Sequence, residues 1–324
     1  MPLLSVSHLS VEFRLPHGHV KAVDDVSFSL EPGEILGLVG ESGAGKTVAC
    51  RAIFRLLPGR RGRIASGRID FAGRDIARLP ERELGAYRGR QIAMAFQDAL
   101  LHLDPALSVG EQIAETLRFH RRLGHGEARR QAIELLGEVG TPEPARRADL
   151  PPHRLGPGDR KRAMLALALA CSPKLLIADE PTRGLDISQQ AQILRLLLDL
   201  RDRNGMSLIL ATSDLGAVAQ ICDSVAVMYA GRIVERATKT ELLEEPLHPY
   251  SEGLIRSRPD GVCAAESLRP ILGAPPSPAE LVRGCRYHPR CTYADDGCRF
   301  GDTQLIEISS WRATSCRRWQ LLAS

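Results

Sequence analysis

The 324 residues carry 43 Lys and Arg against 39 Asp and Glu, a net charge of +4, with 44% hydrophobic and 4% aromatic residues. That supports one large domain plus a smaller one, and it argues against a nucleic-acid binder built on basic charge and base stacking. No stretch approaches the ~20 apolar residues needed to span a bilayer, and the opening MPLLSVSHLSVEF alternates like a strand and lacks a basic-then-apolar leader. The chain is therefore expected on the cytosolic side, with its eight cysteines not read as disulfides.

Residues 3–13 and 20–30 read as β strands, followed by the apolar run 35–39. That run feeds residues 40–47, GESGAGKT, and a helix-compatible run over 48–57 leaves them. Strand, glycine-rich loop and helix in this order make a P-loop. Gly40, Gly43 and Gly45 let the backbone curl so that successive N–H groups face phosphate oxygens, and Glu41, Ser42, Ala44 and Val48 complete the lining. The helix adds its N-terminal amides and positive dipole end. Lys46 would reach the β- and γ-phosphates, and the Thr47 hydroxyl would ligate Mg²⁺. The cluster Arg60, Arg61, Arg63 reads as a solvated loop in preference to a nucleic-acid or lipid contact.

Short strands are expected at 68–71 and 91–96, and residues 98–171 turn helical, including 127–139. A buried-type strand at 175–178 carries Asp179 and Glu180 at its end. Asp179 suits a holder of Mg²⁺ through its water shell, and Glu180 suits a residue that orients or deprotonates water. Gln97, at the end of another strand, is placed to sense metal and γ-phosphate. A helix over 188–203, strands at 206–212, 225–229 and 231–235, a short helix near 238–244 and the segment HPYSEGLI follow. Proline and glycine crowd 258–278 like a linker, and no internal repeat is visible, so the P-loop unit occurs once in the sequence.

GESGAGKT, FQD, LLIADEPTRGLD and HPY together resemble the ATP-binding subunits of ABC transporters, within them the dipeptide, oligopeptide and nickel importer group. The MPLL opening is similar to the Sap-type peptide-uptake ATPases of that group. The resemblance implies an α/β fold: an ABC-type P-loop NTPase core with an N-terminal antiparallel β subdomain, a helical subdomain and a small C-terminal cysteine-rich extension. It divides the chain into a nucleotide-binding domain over 1–245, with helices at about 98–171, and an extension over 246–324. It also implies ATP and Mg²⁺ as ligands and a second ATPase subunit docked head to tail, a different chain in preference to another copy of this one. Two transmembrane permease subunits and, indirectly, a substrate-binding protein would complete the assembly at the cytoplasmic face of the inner membrane. Phe13 would stack on adenine, and Asp186 would be the acid of the loop that crosses the dimer.

Two departures from the family pattern stand out. The signature segment, near LSGGQ in relatives, reads LGPGD over 155–159: Gly156 has no hydroxyl, Pro157 no N–H, and Asp159 sets a negative charge where a phosphate should arrive, while Gly158 is retained. Each lost donor to a charged oxygen is worth roughly 1.5–3 kcal/mol. Ser213 stands where relatives carry a histidine that contacts the γ-phosphate and attacking water. The expectation is a site that binds ATP well and turns it over slowly. A largely non-hydrolysing regulatory subunit is the alternative, and a soluble ABC protein lacks support, since neither paired cassettes nor a long coiled coil is visible.

Cys285, Cys291, Cys298 and Cys316 can bind zinc or an iron–sulfur cluster, and the wide gaps between them are unlike the tight pairs of structural zinc sites. The resemblance favours a [4Fe–4S] cluster acting as a staple, with zinc, or cysteines that bind nothing, as the alternatives. Cys50, Cys171 and Cys222 read as small core residues, Cys263 has no assigned role, and His288 reads as a surface histidine before a ligand.

Overall fold

In the computed structural model, which describes residues 1–16, 18–59, 61–257, 270–279, 283–301 and 303–322, the chain opens with antiparallel strands β1 (Leu4–Leu15) and β2 (Gly18–Leu30). In β1 the buried apolar side chains are even-numbered at Leu4 and Val6 and odd-numbered at Leu9 and Val11. Strand side chains alternate with a period of two, so the phase change needs an extra residue. His8 supplies it: its φ is +51°, the β1–β2 register shifts there, and its Nδ1 lies 2.7 Å from the carboxylate of Asp25 at φ +59°.

β3 (Ile35–Val39) is buried throughout and leads through the P-loop to α1 (Lys46–Ile53). β4 (Gly62–Phe71) and β5 (Arg74–Asp75) complete a sheet of order β2-β1-β4-β5. Then come α2 (Glu81–Leu84), β6 (Ile92–Ala95), α3 (Ala99–His102), α4 (Val109–Arg121), α5 (His125–Glu138), α6 (Pro144–Ala148) and α7 (Pro157–Leu169). β7 (Leu175–Asp179), α8 (Ile187–Asn204), β8 (Ser207–Thr212), α9 (Leu215–Ile221), β9 (Ser224–Tyr229) and β10 (Arg232–Thr238) follow. The chain continues through α10 (Lys239–Glu244), α11 (Pro249–Arg256), α12 (Asp296–Phe300), β11 (Ile306–Glu307) and β12 (Ala313–Thr314).

Contacts divide the chain into two compact units, residues 1–78 with 210–324, and residues 79–209. In the first, β3 pairs parallel with β9, β9 antiparallel with β10, and β10 with β12, which pairs with β11. In the second, β6 and β7 run parallel beside the helical cluster α4–α7. Gly110 lets α4 approach α6, because a Cβ there would come within 2.7 Å of the Ala148 carbonyl oxygen.

Some elements differ from expectation for local reasons. β4 begins at Gly62, not 68, because its first residues pair with Val11, Glu12 and Phe13 of β1. α1 begins at Lys46, since Gly45 at φ +106° ends the loop, and it stops at Ile53 before Arg55 at φ +52°. α9 has no counterpart in the expected elements: Asp214 caps it by accepting the Gly216 N–H at 2.7 Å. Of the basic cluster, Arg63 pairs with Glu12 at 2.9 Å, whereas Arg60, Cys263 and most of the linker lie outside the described residues. Among the described residues no helix is long and apolar enough to cross a membrane.

Besides the pairing of β12 with β10, a buried carboxylate of β10 ties down the segment that follows α10. Glu235, fully buried, accepts the N–H of Leu247 at 2.7 Å and of His248 at 2.9 Å. Burial pushes the Glu235 carboxyl up to about 7 and the His248 imidazole down to about 3. The two act oppositely: the raised Glu235 contributes stability at low pH that is lost as pH rises through 7, and the depressed His248 contributes stability above its unfolded value near 6.5 that is lost as pH falls. Glu235→Gln leaves the histidine contribution alone, so between pH 7 and pH 5 the variant should lose about 2 kcal/mol more than wild type. Denaturant melts at the two pH values check this; equal losses would contradict it.

Candidate functional site

In the first unit the glycine loop is closed on itself. Lys46 is buried, and its Nζ donates to the carbonyl oxygens of Gly40 at 2.6 Å and Glu41 at 3.1 Å. Gly40 and Gly45 have no substitute: a Cβ would meet the Met228 carbonyl oxygen at 2.2 Å from Gly40, and the Ala22 carbonyl oxygen at 2.8 Å from Gly45. The Gly231 N–H donates to the Ala44 carbonyl oxygen at 2.8 Å, tying the loop to the turn between β9 and β10. Ser42 and Gly43 are exposed, Ala44 is buried, and Thr47 and Val48 are half-buried at the start of α1. Phe13, half-buried on β1, lies against Gly62, where a Cβ would come within 2.9 Å of its ring. Ser213 is exposed directly after β8, next to the capping Asp214.

In the second unit the parallel pairing of β6 with β7, Ala95 opposite Ala178, brings Gln97, Asp179 and Glu180 to the same carboxyl-terminal strand end. This is the end of an α/β sheet where ligands bind. Asp179 and Glu180 are buried, and Glu180 has φ +46°, a left-handed conformation that costs a carboxylate side chain about 1 kcal/mol or more. Asp98 caps α3 by accepting the N–H groups of Leu100 at 3.0 Å and Leu101 at 3.3 Å.

Between these strand ends sits a residue that motif reading passed over. The Nζ of Lys161, on α7, donates to the backbone carbonyl oxygens of Gln97 and, at 3.2 Å, of Glu180. Burial lowers its pKa from the usual lysine value, against the pull of Asp98, Asp179 and Glu180. One ammonium thus holds the peptide groups of two candidate catalytic residues. Gly158, Met164 and Leu165, its helical neighbours, are all buried, which puts residue 161 on the inward face of α7.

The LGPGD segment differs from its sequence reading at one point. Gly156 is the N-cap of α7 and Pro157 its first residue, so the missing N–H falls where a helix tolerates it. Asp159, expected to repel a ligand, is ion-paired with Arg147 of α6 and, at 3.5 Å, with Arg162. The two guanidiniums turn the carboxylate into the helical cluster and neutralise it. Gly158 packs against α8, where a Cβ would lie 3.2 Å from the Gln189 Oε1, and Asp186 caps that helix by accepting the Gln189 N–H at 2.8 Å.

Cys285, Cys291, Cys298 and Cys316 line one cavity with His248, Tyr287, His288 and Tyr293, and all four are free thiols. Burial pushes Cys291 up to about 11 and Cys316 up to about 12, with the other thiols of the set adding to both shifts. Among the described residues no group of three His, Cys, Asp or Glu stands close enough to hold a single metal ion. Cys50 and Cys222 are buried in the core, and Cys171 is half-buried.

Comparison with known proteins agrees with this geometry. Residues 23–183 match the ABC transporter family, and residues 234–298 match the oligopeptide/dipeptide transporter C-terminal region. A putative peptide import ATP-binding protein of Brucella abortus is 47% identical over 315 residues, covering 97% of this chain and 94% of that protein. The dipeptide transport ATP-binding protein DppD of Escherichia coli is 41% identical over 316 residues, covering 98% and 96%. The fold resembles the dimeric ATP-binding cassette MJ0796 in a post-hydrolysis state with ADP and Pi, with a TM-score of 0.67, 24% identity, and 73% of this chain and 98% of that one covered. It also resembles cbiO1 of Clostridium perfringens, part of the ABC transporter complex cbiONQ, with a TM-score of 0.62, 28% identity, and 74% and 90% covered. The chain belongs to the ABC transporter family of ATPases, in the branch that carries the oligopeptide/dipeptide transporter C-terminal region.

Proposed function

We propose that this chain is an ATP-hydrolysing subunit of a peptide importer, acting at the inner face of the cell membrane with a second, different ATPase subunit and two membrane permeases fed by a binding protein. The observation that carries the reading is the union in one chain of an ATP cassette and a peptide-transporter C-terminal region, with Lys46 seated inside a closed glycine loop. The working division is a cassette over 1–245 and an extension over 246–324.

In this reading the amides of residues 40–48 cradle the phosphates and Lys46 turns from its loop carbonyls to the β- and γ-phosphates. Thr47, Gln97 and Asp179 would each give an oxygen donor, the ligand type of the hard Mg²⁺ ion, which when bound would neutralise the developing phosphate charge. Glu180 orients the attacking water, with its peptide group fixed by Lys161. Phe13 stacks on adenine, and Gly156, Gly158 and Asp186 belong to the surface that faces the partner ATPase. Binding of ATP closes the pair of cassettes and hydrolysis reopens it, which moves the permeases between facing states.

Ser213 cannot carry the positive charge of an imidazolium, so turnover at this site is slow but real. Ser213→His should raise turnover of the assembled transporter about tenfold, a modest share of what a positioned charged group contributes. Unchanged turnover would mean that serine already suffices. Lys161→Met should lower turnover on the order of tenfold with little change in the KM for ATP, because the interaction lost is to the peptide groups of Gln97 and Glu180. A rise in KM with kcat unchanged would contradict that role.

Cys285, Cys291, Cys298 and Cys316 are proposed to hold a [4Fe–4S] cluster as a staple of the extension. The support is that the four thiols line one cavity and that their wide spacing in sequence is unlike the tight pairs of structural zinc sites. Bound iron would supply the positive charge that lets buried thiols ionise. Anaerobically purified protein should contain about four iron and four sulfide per chain, lost in Cys291→Ser. One zinc per chain and no sulfide would overturn the assignment.

A further inference from the structure

The segment between two of those cysteines, Cys285-Arg286-Tyr287-His288-Pro289-Arg290-Cys291, also reaches the glycine loop. Arg290 is almost fully buried and grips the Glu41 carboxylate with both terminal nitrogens, Nη1 at 2.7 Å and Nη2 at 3.0 Å. Its guanidinium is 5.8 Å from the Tyr229 ring centroid and 5.9 Å from that of Tyr287. Tyr229, Tyr250 and Tyr287 pack against one another with centroids 4.6–5.4 Å apart. The Tyr250 hydroxyl accepts the Glu41 N–H at 2.7 Å, and the Glu41 carbonyl oxygen accepts from Lys46. Every polar group of Glu41 is therefore held. Arg286 acts on the other side of the loop: it donates to the Ala230 carbonyl oxygen and to Asp24, beside Gly231, whose N–H holds Ala44.

A bidentate guanidinium–carboxylate pair fixes direction as well as distance. Glu41 does not need that pair for its own solvation, since it is partly exposed. What the pair does is clamp the first peptide of a loop that must present its amides in register to a phosphate chain. A P-loop preorganised in this way loses less conformational freedom on binding.

We propose that Arg290 is a positioning residue for nucleotide binding, and that through it the order of the cysteine-flanked segment sets the affinity of the P-loop for ATP. Nothing in this requires Arg290 to touch the nucleotide. The proposal rests on the reading that residues 40–47 hold ATP.

Equilibrium binding of a fluorescent ATP analogue to the full chain tests it. Arg290→Ala should weaken binding roughly tenfold, about the worth of one charge-assisted hydrogen bond. Glu41→Ala should cost the same, and the double variant no more than either alone. Arg290→Lys, which keeps the charge and loses the fork, should recover part of the loss, and Cys291→Ser should reproduce it. Tyr250→Phe, which removes only the acceptor of the Glu41 N–H, gives a second variant of near-native volume and should also weaken binding. Lys46→Ala separates the two levels: if it binds the analogue like wild type, the P-loop reading fails. If it loses binding while Arg290→Ala keeps it, or if the Arg290 and Glu41 losses add, the clamp is overturned. Wild-type affinity in Cys291→Ser overturns the link to the cysteine-flanked segment.

Discussion

A loop that binds triphosphate through its own amides must be built before the ligand arrives, and in this chain that constraint governs much of the first unit. Gly40 and Gly45 pass so close to the carbonyl oxygens of Met228 and Ala22 that no side chain fits. The β9–β10 turn supplies the Gly231 N–H for Ala44, and Lys46 folds back on the loop carbonyls. The buried parallel pair β3 and β9 carries this arrangement, which is why every residue of β3 is buried. The buried, apolar strand is thus a support for a polar loop whose groups satisfy one another.

The second unit meets a related demand differently. Its candidate residues lie at the ends of two parallel strands, so their spacing follows from register, with Ala95 opposite Ala178. Glu180 adopts a left-handed backbone there, a strain offset by the hydrogen bond from Lys161 to its carbonyl oxygen. A buried ammonium is costly unless its protons are accepted and its charge is balanced. Asp98, Asp179 and Glu180 provide the balance. In the degenerate LGPGD segment Pro157 takes a helix position that needs no N–H for the helix itself, though the amide a phosphate would use is still missing, and Asp159 is neutralised by Arg147 and Arg162.

How much of this was legible in the sequence depends on the range of the interactions. The glycine loop, the strand before it and the paired acids of β7 are local patterns, and they read correctly as elements. The bulge at His8 was not legible, because the opening reads as one alternating strand and the phase change between Val6 and Leu9 emerges only when β1 pairs with β2. α9 escaped because seven residues give too little periodicity to read as a helix. The pairs that hold the site were beyond reach: Arg290 meets Glu41 across 249 residues and Arg147 meets Asp159 from a neighbouring helix, and no local spacing announces either. Lys161 belongs to no recognised motif, and its burial follows only from the packing of α7.

The most direct test is steady-state ATP turnover by the assembled transporter, wild type against Lys46→Ala. The account predicts that turnover collapses to background, because this chain's own P-loop feeds a working site despite Ser213. Turnover that largely survives would contradict it, and would make the chain a nucleotide-holding partner whose companion subunit does the hydrolysis.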